Sequence, residues 1–328
     1  MVRRLQKDRI ELLVECARMH YEERLTKSQI ADRYGISVTH VKRLIDEALA
    51  RGIVRISIVE RRDFAQLEET LTAKFSLKLA RVAPSSADYE QQKDLLGQVA
   101  AQLFEELAIP GTSIGIGGGG SVKAMVDAIP KYPREIHIAP MALVGRGPLI
   151  EFVDAAFLAA LLYYKSSPKA RASAVGMLPP PKKPDARRAF VQIVNRSIPE
   201  VDAVLNQARL SSVTFVGLGG PEPVAELIPV LNRAGNSKTK LIQQKAAGGI
   251  NYNYFDDQGQ EVASLFRTVS IAELQGMAAD SEKHVVLIAG GPHKIQALEI
   301  ALRTRMVNSV VMDEKTAIRL TGGTSVDR

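Results

Sequence analysis

The 328-residue sequence predicts an α/β chain in two parts, an N-terminal winged helix-turn-helix followed by a doubly wound parallel-sheet domain. Three observations carry that reading. Leu25–Ile45 holds two short amphipathic segments on either side of Gly35, with apolar residues at Ile30, Ala31, Ile36, Val41, Leu44 and Ile45. From about residue 80, short apolar runs alternate with longer amphipathic segments, the pattern of a parallel sheet covered on both faces. Three of the apolar runs end in glycine.

The elements follow in order. Ile10, Leu13, Val14, Ala17 and Tyr21 repeat at helical spacing and predict a first helix over 10–21. Thr26 is placed to cap a second helix, Lys27–Tyr34, and Gly35 suits the positive φ at which that helix stops. Ser37 then caps a third helix, Val38 to about Ala50. Gly52 ends it, and Val54–Val59 alternates like a strand, which would give the unit its wing. Residues 61–78 follow as a linker, with Leu67, Leu71 and Phe75 at spacing four; they form either a helix packed on its own domain or an oligomerisation helix. The domains are thus 1–60, 61–78 and 79–328. In the last of these, strands are expected at Ser113–Gly117, Ile136–Leu143, Thr214–Gly217, Val285–Ala289 and Ser309–Met312. Helices are expected at Leu95–Leu107, Val122–Ile129, Asp154–Tyr164, Val224–Asn232 and Lys294–Arg305, and an exposed loop at Pro179–Pro184.

Composition narrows the function. Hydrophobic residues make up 46% and charged residues 24%, enough to bury a sizeable core. Aromatics are 5% and Trp is absent, which argues against a stacking platform for single-stranded nucleic acid. The lone Cys16 excludes an internal disulfide and a cysteine-based zinc site; among Leu12, Leu13 and Met19 it reads as a buried structural thiol. Residues 1–62 carry 14 Lys/Arg against 9 Asp/Glu, so five of the seven net positive charges accompany the helix-turn-helix, where phosphate binding would use them. The charged N-terminus has no apolar signal core and no run is long enough to cross a bilayer. The expectation is a cytoplasmic, nucleoid-associated protein with no membrane partner.

In a helix-turn-helix the third helix enters the major groove and its first residues meet base edges. Those residues are Val38, Thr39, His40, Lys42 and Arg43. His40 and Arg43 can hydrogen-bond bases, Thr39 offers a methyl or a hydroxyl, and Lys42 can reach phosphate. With Lys27 and Ser37 at the helix starts, they make up the expected interface with double-stranded operator DNA.

The glycine loops point to a second ligand. Ser113–Val122 runs strand, then Gly117–Gly120, then helix, so backbone N–H groups, and Ser121 at the helix start, can face an anion. It lacks the Gly-Lys-Ser/Thr ending of a nucleotide-binding P-loop and the acidic residue of a dinucleotide fingerprint. Val285–Lys294 repeats the arrangement with Gly290 and Gly291, and Lys294 in the first turn conflicts mildly with the helix dipole unless an anion neutralises it or solvent takes the charge. Gly217-Leu-Gly219-Gly220 is a third such turn. Ligands of open parallel sheets sit beyond the carboxyl ends of the strands, so the three loops are expected to converge on one pocket. Arg146 is a further candidate for phosphate or a sugar hydroxyl, and Asp256 either accepts sugar hydroxyls or forms a turn before Gly259.

In sequence order these segments resemble the SorC family of bacterial sugar-responsive transcriptional regulators. The resemblance rests on Gln29–Ser37, Val41–Ile45, Gly52–Ile56, Gly115–Ser121, Ala247–Ile250 with Tyr254–Asp256, Ala289–Lys294 and Val310–Ala317. It implies an effector domain similar in fold to ribose-5-phosphate isomerase and glucosamine-6-phosphate deaminase, a bound sugar or sugar phosphate, no cofactor or metal, and a homo-oligomer, dimer or tetramer, on DNA. Carried over by position, Gly118, Gly119, Gly120, Ser121 and Lys294 would hold the effector's phosphate, with Gly217, Gly219, Gly290, Arg146 and Asp256 around it. The chain departs from the family's pattern at Val38, where members often have arginine, and at Gly249, where they often have aspartate. The first glycine loop also lacks the family's common Trp and second hydroxyl residue. The expected function is therefore a regulator of a carbohydrate-metabolism operon. Its rival is a sugar-phosphate isomerase or deaminase carrying an added helical domain, which would need a catalytic base poised at the pocket.

Overall fold

The computed structural model describes residues 9–51, 53–54, 64–143, 153–174, 185–186, 189, 198–221, 245–264 and 267–322. The wing strand at Val54–Val59, the helix at Val224–Asn232, the Pro179–Pro184 loop and Arg146 lie outside them, wholly or in all but one residue. The chain divides into two compact units, Met1–Glu60 and Arg61–Arg328. Among the described residues no helix is long and apolar enough to cross a membrane.

The first unit contains α1 (Arg9–Tyr21), α2 (Lys27–Tyr34) and α3 (Val38–Ala50). Thr26 caps α2 in a full capping box: its hydroxyl accepts from Gln29 N–H, and the Gln29 side chain accepts from Thr26 N–H. Ser37 caps α3 by accepting from His40 N–H. Leu13, Cys16, Ala17 and Met19 of α1 meet Ile30, Ala31, Val41, Leu44, Ile45 and Ala48 in one small core. Gly35 turns the chain between α2 and α3 at φ 63°. A Cβ there would touch nothing within 4 Å, so Gly35→Ala is expected to cost only the left-handed backbone strain, about 1 kcal/mol. Gly35→Asn should recover most of that in urea unfolding, since asparagine tolerates this conformation.

The second unit is a parallel sheet with helices on both faces. In sheet order its strands are β1 (Leu79–Ala83), β12 (Ser309–Asp313), β11 (His284–Ile288), β6 (Val213–Gly219), β2 (Ser113–Ile116), β3 (His137–Pro140) and β5 (Arg171–Ala172), every neighbouring pair parallel. Side chains alternate between two cores. Phe215, Val286, Ile288 and Val311 point to one, with α5 (Tyr89–Leu107), α6 (Gly120–Ala128) and α7 (Ala155–Ser166). Val216, Leu218, Leu287 and Met312 point to the other. That face holds α4 (Ala65–Phe75), α8 (Pro199–Arg209), α9 (Ile271–Ala279), α10 (Ile295–Arg303) and α11 (Glu314–Thr321).

Several sequence expectations are refined here. Within the stretch expected as linker or oligomerisation helix, α4 (Ala65–Phe75) buries Leu71 in the larger core, with Leu67 and Phe75 packed against it. Glu68 accepts from Val82 N–H, and Lys74 donates to the carbonyl of Leu320. The apolar face of α4 is therefore used by its own domain. The single strand expected over Ile136–Leu143 is broken after Pro140. Residues Ala142–Leu143 form β4 and pair antiparallel with β10 (Arg267–Thr268) in a separate two-stranded sheet. The helix expected to begin at Lys294 starts as a 3₁₀ turn, Pro292–Lys294, before α10. An antiparallel extension of β6, formed by β7 (Gly248–Ile250), β8 (Asn253–Phe255) and β9 (Glu261–Ser264), had no strong sequence signature.

Candidate functional site

On the N-terminal unit the exposed side of α3 is the face opposite Val41, Leu44, Ile45 and Ala48. Val38, Thr39, Lys42 and Arg43 are exposed on it, with Ser37 at the start and His40 half-buried at the edge. Lys27, at the start of α2, is half-buried. The Lys27, His40, Lys42 and Arg43 side chains have no hydrogen-bond or ion-pair partner among the described residues. Glu47 of the same helix, by contrast, holds Arg9 and Arg51, each at 2.7 Å. Uncommitted cations beside an apolar-backed helix are what a phosphate-lined groove requires.

In the sheet domain the strand order defines the site. From β2 the chain moves outward through β3 to β5, then returns to β6 beside β2 and moves the other way through β11 to β12. The order reverses between β2 and β6, and crevices at such switch points bind ligands. The strands β2, β6, β11 and β12 lie side by side and parallel, so their carboxyl ends share one edge. At that edge stand Gly117–Gly120, Gly219–Gly220, Gly290–Gly291 and Asp313.

The three glycine loops meet. Gly117 N–H donates to Phe215 O at 2.8 Å, and a Cβ on Gly217 would lie 2.9 Å from Gly118 O and 3.8 Å from Gly119 Cα. A Cβ on Gly220 would lie 3.7 Å from His293 O. Gly219 pairs with Gly249 of β7, where a side chain would press on the Tyr254 ring at 3.2 Å. Gly249 therefore borders this site and brings it no charge. Helix α6 begins after Gly119 with no side-chain cap, leaving first-turn N–H groups for something else to satisfy; Ser121 is buried in that turn.

Lys294 is half-buried; its backbone N–H donates to Gly291 O at 3.1 Å, and its ammonium makes no hydrogen bond or ion pair among the described residues. Burial, and then the neighbouring charge of Lys93, push its pKa below that of an ordinary lysine. Lys93 of α5 lies beside the first loop, its Cδ 3.6 Å from where a Cβ on Gly120 would sit. It pairs with Glu90 at 2.7 Å and lies over the Tyr89 ring, which faces His293 at 6.1 Å. Two ammonium groups thus stand beside uncapped helix starts, an arrangement able to hold an anion.

Asp313, at the end of β12, sets the third loop. It is 3% exposed; Oδ2 accepts from Gly291 N–H at 2.8 Å and from the Thr316 hydroxyl at 2.6 Å, and Oδ1 accepts from Thr316 N–H at 3.0 Å. Gly291, at φ 97°, opens the turn that carries Lys294.

Asp256 does not join this group. Its Oδ1 accepts from Gln258 N–H at 3.0 Å and Gln260 N–H at 2.9 Å, closing its own turn, and Gly259 of that turn packs on Thr304 just after the far end of α10. It is the turn-forming aspartate of the two readings. Lys93 and Asp313 were not singled out in the sequence. Lys93 lies in a polar helix start with no local signature, and Asp313 was visible only as a helix cap, Asp-x-x-Thr.

Comparison with known proteins agrees with this architecture. Residues 60–321 match the family described as "Putative sugar-binding domain", and residues 15–51 match "Sigma-70, region 4". The Sorbitol operon regulator of Klebsiella pneumoniae is 26% identical over 315 residues, 94% of this chain and 97% of that protein. Transcriptional regulator LsrR of Enterobacter sp. (strain 638) is 26% identical over 319 residues, 94% of this chain and 91% of that protein. The crystal structure of full-length SorC from Klebsiella pneumoniae superposes with a TM-score of 0.66 at 26% identity, covering 96% of this chain and 100% of that one. With the sugar-binding domain matched from residue 60 to 321 and full-length likeness to SorC, the chain belongs to the SorC family.

Proposed function

We propose that the protein is a sequence-specific transcriptional regulator of a carbohydrate-metabolism operon, controlled by a sugar or sugar-phosphate effector. The observation that carries this reading is Lys294: a half-buried ammonium with no acidic partner among the described residues, at the switch point of a parallel sheet, in a chain that also presents a helix whose Lys42 and Arg43 are unpaired among those residues. A phosphate ester supplies the missing charge, and uncapped N–H groups of α6 supply donors. The effector regulates only if it binds one assembly or DNA-bound conformation better than another. As a DNA-bound regulator the protein would work in the cytoplasm at the nucleoid, as a dimer or tetramer.

The isomerase or deaminase reading needs a carboxylate or another base facing the substrate. Among the described residues Asp313 is engaged with Gly291 and Thr316 and Glu90 with Lys93, and position 249 is glycine. Mobility shifts on the DNA upstream of the protein's own gene, with and without ribose 5-phosphate, glucose 6-phosphate and sorbitol 6-phosphate, test the proposal. The expected result is ligand-dependent mobility with the sugar phosphate recovered unchanged. Product formation would favour the enzyme.

For the DNA contacts, His40→Ala is expected to cost about 1–3 kcal/mol on the operator and little on random duplex, relaxing sequence preference. Lys42→Ala should weaken both alike and lower the salt slope by about one. Unchanged operator affinity in both variants would remove α3 from the groove.

A further inference from the structure

The turn between β7 and β8 adopts a conformation that its second residue does not favour. Ile250 pairs with Asn253, so Asn251 and Tyr252 are the two central residues of the hairpin loop, both left-handed at φ 48° and 63°. Asparagine suits the first place; the second is ordinarily glycine, and a bulky residue there is strained. The turn cannot relax away. Asn251 Nδ2 donates to Met141 O and Val269 O, both at 3.0 Å, and Asn253 Nδ2 donates to Val269 O at 2.8 Å. Asn253 Oδ1 accepts from Ser264 at 2.7 Å and Thr268 at 2.8 Å, and both asparagines are buried.

What this pinned strain delivers is the phenol of Tyr252 against the first glycine loop. Its hydroxyl occupies the space where a Cβ on Gly118 would go. The hydroxyl also donates to Val153 O at 3.4 Å, the same carbonyl that accepts Gly119 N–H at 2.8 Å. Tyr252, Gly118 and Gly119 are thus fixed to one another through a single backbone oxygen, and the half-buried ring walls one side of the loop. Strain that the surroundings enforce at a candidate ligand site is characteristic of function rather than of turn formation.

We propose that Tyr252 is a specificity-determining residue of the effector site, its ring contacting the part of the ligand attached to the anion. The proposal rests on the reading of the glycine loops and Lys294 as an anion site. It explains why a position that turn chemistry leaves to glycine holds an aromatic side chain. It also assigns the anion to the loops and Lys294, and discrimination among esters to the hairpin tip.

The test is calorimetry on the full chain with inorganic phosphate, ribose 5-phosphate, glucose 6-phosphate and sorbitol 6-phosphate, for wild type, Tyr252→Asn, Tyr252→Phe and Lys294→Ala. Asparagine is compatible with the left-handed turn, and thermal unfolding verifies that the variant is folded. Tyr252→Asn is expected to weaken the tightest-binding ester about tenfold, the scale of a lost pocket contact, and to leave inorganic phosphate within about twofold. Tyr252→Phe, which keeps the ring, should retain the wild-type ratio. Equal shifts for phosphate and ester, no shift, or tighter ester binding would each overturn the role of Tyr252. If Lys294→Ala still abolishes phosphate binding, the anion site survives that outcome; if wild type binds no phosphate, or Lys294→Ala leaves it unchanged, both readings fall.

Discussion

Asp313→Ala is expected to destabilise the sheet domain by about 2 kcal/mol and to abolish effector response in whatever fraction stays folded. The carboxylate has two duties. It caps α11 through Thr316 N–H, and loss of such a cap costs about 1 kcal/mol. It also accepts from Gly291 N–H at 2.8 Å; that donor keeps the Thr316 hydroxyl at 3.2 Å as a second acceptor, so the loss is about 1 kcal/mol, the worth of one hydrogen bond. The loop that carries Lys294 therefore loses its tether to β12. Asp313→Asn should fall between, keeping one acceptor oxygen but turning an amide N–H₂ toward another donor. Ser85→Ala removes the 3.2 Å hydroxyl contact to Oδ1 and the acceptor of Lys315 N–H at 2.8 Å, an exposed donor that water can satisfy, and should cost less than about 1 kcal/mol. Urea unfolding ranks the three; an Asp313→Ala midpoint equal to that of Ser85→Ala would refute the tether.

Lys294→Met is expected to move stability and binding in opposite directions. The lysine pKa is depressed, so the folded state disfavours the charged form. That penalty is present below the folded pKa and fades as pH rises through it toward the unfolded value. Methionine keeps the apolar stem and removes the penalty, so the unliganded protein should gain up to about 1 kcal/mol at neutral pH. Phosphorylated sugars should bind at least about tenfold more weakly, the scale of a charge-assisted hydrogen bond, while their unphosphorylated counterparts change little. Thermal unfolding with and without each sugar reads both effects. A variant that melts lower than wild type, or that loses both ligand classes equally, would remove Lys294 from the anion.

The helix-turn-helix was almost wholly legible in the sequence because its determinants are local. Caps at Thr26 and Ser37, a positive-φ glycine at 35 and apolar spacing of three and four all act within one or two turns. The strands of the sheet were legible for the same reason, as apolar runs between polar segments. Elements without such marks were missed: β1 alternates only weakly, and β7–β9 mixes glycine, asparagine and tyrosine. The helix over 65–75 showed its apolar stripe in the sequence. Whether that stripe met its own sheet or another chain was a matter of where β1 and α11 lie.

The sequence by itself determined that this chain is a basic helix-turn-helix joined to an α/β domain with three glycine-ended strands. Periodicity, capping and glycine backbone freedom are written into neighbouring residues. The tertiary structure decided which of those loops form one site. Strand order is set by packing between residues far apart in the chain, and it places Gly118, Gly217 and Lys294 at one switch point. The same packing assigned Asp256 to its own turn, set Asp313 to hold the third loop, and aimed Tyr252 from a strained hairpin at the first. No local pattern records the last two outcomes, because each depends on a partner more than 20 residues away.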